Sequence, residues 1–367
     1  MIAIFKLSNK NSASQSEANP SVRTSSKVGA PLVRACAAQM LWLIILCTPY
    51  SPLRAGELQL FTLGSGGVSG SYYAAARALC DEVNRSERGR LRCSPDPTAG
   101  SIYNLRALRQ GQVDFAFVQS DWQRQAYEGK GGYANVGPMQ DLRSVLGLYP
   151  EAITILARRD AGIVKVEDLI GKRVDIGHPA SGRRATTERL LSVLKASAAD
   201  FAQLAELSVG RAIKGICEGQ IDATILVLGH PNTNVGQALS DCGVILVPVE
   251  GPRFDAAIAD GVDYNRSIIA RSTYPSLDAD VPTYAVTATL VTRSSVDTNL
   301  VETVVSRVLE RLPRLALSAP VLAGLNVSNM RRRGLTAPLH PGAKAAFKAA
   351  LKIIRSRVLQ GPGHVGD

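Results

Sequence analysis

Two stretches of this chain carry one pattern at a spacing of 108 residues: Leu108-Arg-Gln-Gly-Gln-Val-Asp-Phe-Ala-Phe-Val118 and Ile216-Cys-Glu-Gly-Gln-Ile-Asp-Ala-Thr-Ile-Leu226. Each reads as a helix end, a glycine at the position after it (Gly111, Gly219), and a short apolar strand led by an acid. The preceding helices agree in phase, Leu105 and Leu108 against Ile213 and Ile216. Strand and helix patterns alternate through residues 57–250, which predicts a largely parallel α/β architecture. A chain of 367 residues has room for two or three cores. The repeat therefore argues for two α/β lobes of similar design.

Pro150 restricts the residue before it and ends local structure, so the break between lobes is expected near Leu148-Tyr-Pro-Glu151, with a new strand at residues 153–157. Lobe I is assigned residues 56–150 and is completed by 285–367; lobe II is 151–284. A strand at residues 284–292 returns the chain to lobe I. Helices are expected at residues 183–195, 299–315 and 341–359.

Residues 1–55 read as a targeting segment. Residues 1–30 are polar and without apolar periodicity. Arg34 then precedes an apolar stretch centred on Leu41-Trp-Leu-Ile-Ile-Leu46, and a Pro/Arg break and Ala55-Gly56 follow. A cationic flank, a short apolar core and small residues describe a secretory signal. The run is short for a membrane span; an anchor is the rival reading. The segment holds Lys6, Lys10, Arg23, Lys27, Arg34 and Arg54 against Glu17, so without it the 42 basic and 31 acidic residues fall to 36 and 30, a net charge of +6. Clusters such as Arg331-Arg-Arg333 are not interleaved with aromatics, so nucleic-acid binding is not indicated. Four cysteines follow the segment, with no metal-ligand spacing. Export favours disulfides. The pairs Cys80–Cys93 and Cys217–Cys242, each inside one lobe, are expected, with four buried thiols as the alternative.

The turn Gly64-Ser-Gly-Gly-Val-Ser-Gly-Ser-Tyr-Tyr73 lies between an apolar strand and a helix. Free N–H groups at a helix N-terminus, with the positive end of the helix dipole, bind anions. A dinucleotide fingerprint fits only in part: Gly64 and Gly66 are in frame and Asp96 follows, but Ser69 stands at the third glycine. Two more clusters, Thr98-Ala-Gly-Ser-Ile-Tyr-Asn104 and Gln119-Ser-Asp-Trp122, fall beyond strand ends, where ligands of parallel sheets gather. Ser101 also suits a helix cap. In lobe II, Ser181-Gly182 opens a helix with Arg183 and Arg184 in its first turn, where cations oppose the dipole by roughly 0.3–1 kcal/mol each. Catalysis finds little support. The chain has no G-x-S-x-G elbow and no HExxH, its four histidines are scattered, and Asp121 lacks an evident partner as a base.

Taken in order, the Gly64 turn, Gly100-Ser-Ile-Tyr-Asn104, Gln119-Ser-Asp-Trp122, Tyr149-Pro-Glu151, Gly171-Lys-Arg-Val174, Ser181-Gly182, Gly229-His-Pro231, Ala288-Thr-Leu-Val291 and Gly334-Leu-Thr-Ala-Pro-Leu-His-Pro-Gly342 resemble the TAXI family of solute-binding proteins, which serve tripartite ATP-independent periplasmic (TRAP) transporters. The resemblance implies an α/β, two-lobed periplasmic binding protein-like (type II) fold with the ligand cleft between lobes. It implies a periplasmic receptor, not an enzyme, without cofactor or metal. Its partners would be a small carboxylated solute (glutamate- or glutamine-like, or a dicarboxylate) and a TRAP-type membrane permease. Carried onto this chain, the ligand shell is Ser65, Gly66, Gly67, Ser69, Tyr72, Ser101, Asn104, Gln119, Asp121, Tyr149, Glu151, Ser181, Gly182 and Arg183. The carboxylate is expected on the Gly66-Gly67 turn and the hydroxyls of Ser69 and Ser101. Ala180-Ser-Gly-Arg183 departs from the Gly-Ser-Gly-Thr or Gly-Ser-Gly-Gln of many relatives, and Ala74 stands where they often have proline. Arg183 favours a second carboxylate on the ligand. The alternatives are a stand-alone sensor of the same fold and an exported hydrolase or dehydrogenase.

Overall fold

A computed structural model describes residues 58–258 and 263–359; the expected targeting segment lies outside the described residues. The elements run β1 (Gln59–Gly64), α1 (Ser71–Ser86), β2 (Leu91–Asp96), α2 (Ser101–Arg109), β3 (Phe115–Gln119), α3 (Ser120–Glu128), β4 (Leu142–Arg158), β5 (Arg173–Asp175), α4 (Gly182–Val193), β6 (Gln203–Ala205), α5 (Val209–Cys217), β7 (Ala223–Leu228), α6 (Thr233–Asp241), β8 (Val244–Val247), α7 (Pro252–Ala257), β9 (Asn265–Ile269), β10 (Val281–Arg293), α8 (Thr298–Glu310), α9 (Leu312–Ser318), α10 (Val327–Met330) and α11 (Pro341–Leu359).

The strands order as β2-β1-β3-β10-β4-β7-β5-β6, with β8 on β4 and β9 on β10. The order is mirrored about its centre. β1 pairs in parallel with β2 and β3, and β5 in parallel with β6 and β7. β10 and β4 close each parallel group with an antiparallel neighbour and pair with each other. The central strands β3 and β7 are buried along their whole length, as continuous apolar runs covered on both faces require. Among the described residues four apolar clusters result, two on each half of the sheet. One groups Phe61, Leu79, Phe117, Val304 and Phe347 under α1, α8 and α11; a second groups Leu105, Leu108, Val118 and Trp122 under α2 and α3. On the other half, Ile155, Leu190 and Tyr264 form one cluster and Leu156, Ile216 and Val235 another.

The 108-residue repeat is a repeat of structure. Gly111 and Gly219 both take left-handed backbone, φ 71° and 70°. Each glycine N–H bonds three residues back (to Leu108 O and Ile216 O), and the next N–H reaches five back (Gln112 to Ala107 O, Gln220 to Gly215 O), the same helix stop twice. Both expected disulfides form, Cys80–Cys93 tying α1 to β2 and Cys217–Cys242 tying α5 to the end of α6.

Two expectations fail locally. No strand break occurs at Pro150; β4 runs through it. The register against β10 shifts between Thr287, opposite Pro150, and Thr289, opposite Gly147. At such an irregularity the missing N–H of an exposed proline breaks no ladder bond. The single helix expected at 299–315 is two. Pro313 enters the first turn of α9, where it lacks the N–H an uninterrupted helix would need, and Arg311 leaves helical backbone. The last helix, α11, has the expected bounds.

Candidate functional site

The mirrored topology points helix N-termini from both halves at one another. α1, α2 and α5 begin after Gly70, Gly100 and Ser208 with no side chain capping them; α4 is capped by Ser181, whose Oγ accepts from Arg184 N at 3.2 Å. Uncapped helix starts leave backbone donors without intrahelical partners. All four ends meet at a cavity of ≈ 160 Å³ lined by Gly66, Gly67, Gly70, Ser71, Tyr72, Thr98, Ala99, Gly100, Ser101, Gln119, Glu151, His178, Ser181, Gly182, Arg183, Leu207, Ser208, Val209, Val227 and Leu228. Pockets for drug-sized ligands run to roughly 300–1,000 Å³; this one suits a small solute.

The halves touch around the cavity. Ala180 O accepts from Tyr103 N at 3.2 Å, Ser71 Oγ donates to Gly229 O at 2.9 Å, and Asn234 Nδ2 donates to Ser69 O at 3.0 Å. Tyr264 OH lies 2.8 Å from Thr186 Oγ1 of α4 and donates to Asp121 Oδ2 of α3 at 2.9 Å. Gly182 comes so near that an added Cβ would lie 1.9 Å from Gln119 Oε1 and 2.8 Å from Ser101 Oγ. The two halves approach closely at this point.

Glu151 supplies the carboxyl group of the cavity wall. It is 3% exposed and accepts from Tyr72 OH at 2.6 Å. Burial pushes it up to about 8; the Tyr72 hydrogen bond opposes this and the charge of Asp121 adds to it. Tyr72 in turn is held well above the ordinary phenol value by burial and by Glu151. Gln119 Oε1 and Tyr149 OH are buried without a hydrogen-bond partner among the described residues, and Gln119 lines the cavity. Such a buried acceptor is costly unless something donates to it.

Arg183 does not offer its charge to the cleft. Its guanidinium turns back into the second half, where Nη2 pairs with Asp175 Oδ2 and bonds Thr224 Oγ1 at 2.9 Å, and Nε donates to Ile225 O at 2.5 Å. Asp175 is fully buried and also accepts from Leu207 N at 2.8 Å and Thr224 Oγ1 at 2.7 Å. A buried carboxylate must be paired, and Arg183 is its partner.

Comparison with known proteins settles the family. Residues 63–350 match the NMT1-like family. The chain belongs to the NMT1-like family. Among solved structures, this NMT1-like chain is similar to the periplasmic binding protein BugD (12% identity, 82% of this chain and 98% of that one, TM-score 0.53). It is also similar to MatC from Rhodopseudomonas palustris with bound malate (14% identity, 80% and 97%, TM-score 0.51). The fold is the α/β, two-lobed periplasmic binding protein-like one.

In this NMT1-like protein, nine of the expected shell residues line the cavity together: Gly66, Gly67, Tyr72, Ser101, Gln119, Glu151, Ser181, Gly182 and Arg183. Five stand behind or beside it. Ser65 is fully buried and its Oγ donates to Asp96 O at 2.7 Å, while Asn104 Nδ2 ties Ser65 O (2.7 Å) to Phe117 O (2.8 Å); both set the loop shape. Ser69 faces a neighbouring crevice with Asn232 and Asn234. Asp121 turns to Tyr264, and Tyr149 packs beside Gly229. Ser69 does not line the cavity with the Gly66-Gly67 turn. Sequence reading missed His178, Leu207, Ser208 and Val209. The signal was present for the last: the 108-residue offset maps Ser101, which opens α2, onto Val209, which opens α5. Among the described residues no group of three or more His, Cys, Asp or Glu is gathered to hold a metal, and no helix is long and apolar enough to cross a membrane.

Proposed function

We propose that this chain is a TAXI-type receptor of the periplasm that holds a small α-amino acid in the closed cleft and delivers it to a TRAP-type permease. The observation that carries the reading is the pairing, in one small cavity, of four helix N-termini with the carboxyl group of Glu151. The helix ends would take one carboxylate by backbone N–H groups. Glu151 would take an ammonium group, and Gln119 Oε1 a further donor. With Arg183 engaged by Asp175, a second carboxylate has no guanidinium to meet, so the amino acid is preferred over a dicarboxylate. That a similar fold was solved with malate supports a carboxylate ligand of this size. Lobe I would be residues 56–150 with 285–367 and lobe II 151–284, the hinge lying where β4 and β10 cross near Pro150 and Thr287. The ligand then favours closure by its contacts to both lobes, and only by those.

Calorimetry with L-glutamate, L-glutamine and malate at pH 6 to 9 tests the reading. Pairing an ammonium requires Glu151 ionised, so amino-acid affinity should rise with pH and level off above about 8. Glu151→Gln should weaken it by about tenfold or more. Malate binding more tightly than either amino acid, with affinity falling as pH rises, would refute the amino-acid assignment; no binding of any carboxylate would refute the receptor.

A further inference from the structure

Away from the cleft, α11 carries a long row of cations with no acid among them. On α1, α4, α5 and α8 a cation sits one turn from an acid: Arg77 with Asp81, Arg184 with Glu188, Lys214 with Glu218, Arg307 with Glu310. The sequence of α11 contains no Asp or Glu. Its Lys344, Lys348, Lys352 and Arg355 are all exposed and fall on one stripe by their spacing of four, four and three. With Arg331 they rim a groove of ≈ 510 Å³ floored by Leu339, Phe347 and Leu351. Among the described residues none of these five cations makes an ion pair. Like charges one turn apart destabilise a helix, and Lys344 stands in its first turn, where the dipole also disfavours it. The stripe is self-repelling and gains from an external anion.

We infer that this groove docks an acidic, amphipathic segment of a protein partner. The charge calls for carboxylates spaced along the stripe, and the floor calls for apolar side chains between them. A bilayer fits less well. Ala343, Ala346 and Phe347 are buried in the core, so that face of the helix is not free to enter lipid, and Ile353 and Ile354 are the large apolar side chains it leaves exposed. The inference does not depend on which solute the cleft holds.

Fluorescence anisotropy on the full chain tests it with three probes: a labelled acidic peptide of Glu and Leu, the same peptide with Gln for Glu, and phosphatidylglycerol vesicles. Saturable binding of the acidic peptide is expected. It should weaken as salt rises and fall at least about tenfold in Lys344→Glu/Lys348→Glu/Lys352→Glu, with melting temperature retained because all three side chains are exposed. Should the triple variant melt early, Lys348→Gln/Lys352→Gln gives the same reading with a smaller loss. Absent binding, equal binding of the Gln peptide, or binding unchanged in the variants overturns the proposal. So does vesicle binding that exceeds peptide binding and needs the same lysines, which would make the surface a lipid contact.

Discussion

Tyr72, in the first turn of α1, donates its hydroxyl hydrogen to Glu151 of β4 at 2.6 Å, so the floor of the cleft is a phenol–carboxyl pair with both members buried. The pair joins the glycine-turn helix to a strand shared by both halves of the sheet, and its proton is a property of the fold.

The pH dependence of stability should report that proton. The folded carboxyl of Glu151 holds its proton up to about 8, against 4.5 for an ordinary glutamate. The native state therefore binds more protons than the unfolded chain across that window, and stability falls as pH rises through it. Asp121, raised by burial to about 6, adds to the slope below that pH. Between pH 6 and 8 the ligand-free protein should lose about 2–3 kcal/mol that Glu151→Gln does not lose. Urea unfolding at the two pH values measures it; parallel losses in both proteins would remove Glu151 as the source.

Gly182→Ala probes closure. The glycine does not take left-handed backbone, and the nearest atoms an added methyl meets are those of Gln119 and Ser101 across the cleft. Crowding of this kind costs about 1–3 kcal/mol, charged to the closed state alone. Solute affinity should fall by about fivefold to a hundredfold while the melting temperature without solute stays put. Small-angle scattering should find the variant more open; unchanged affinity would contradict the tight approach.

Arg183→Gln should act on stability before it acts on binding. It strands Asp175, fully buried, without its ion pair. Breaking such a pair costs about 3–5 kcal/mol. Denaturant titration should register that loss with no solute present; a variant as stable as the parent would mean that Arg183 is free to serve the ligand.

The two repeat acids hold corresponding strands, and Asp222 also pairs with the Arg173 guanidinium. Asp114 Oδ2 accepts from Thr62 N at 2.8 Å, and Asp222 Oδ2 from Arg173 N at 2.9 Å, each fastening its strand to the parallel neighbour. Alanine at either site leaves a backbone donor unsatisfied, at about 1–3 kcal/mol, and the double variant should lose the sum, since the sites share no partner. Chevron or equilibrium unfolding of the three variants tests this; strong non-additivity would deny independent units.

The disulfides close loops of 13 and 25 residues. Chain entropy assigns each about 3 kcal/mol, slightly more to the longer. Protein reduced by a thiol reductant should gain four hydrogen atoms in intact mass and unfold at lower denaturant; a mass unchanged by reductant would show thiols.

What the sequence determined here is what depends on neighbours along the chain. The helix stops at Gly111 and Gly219 follow from local backbone freedom, the bounds of α11 from its Pro341 start and apolar period, and the two disulfides from cysteines that adjacent elements bring close. The repeat even carried the position of Val209, because two units built alike place their second helix starts alike. What only the tertiary structure decided depends on partners distant in sequence. Pro150 reads as a break because its cost lies in a missing N–H, yet β10 arrives from residues 281–293 with a register shift that asks for none. Arg183 reads as a free cation because Asp175 and Thr224 meet it only once β5 and β7 pair and bury all three. The sequence displays charges one by one, while burial decides which of them must be neutralised by the protein and which remain for a ligand.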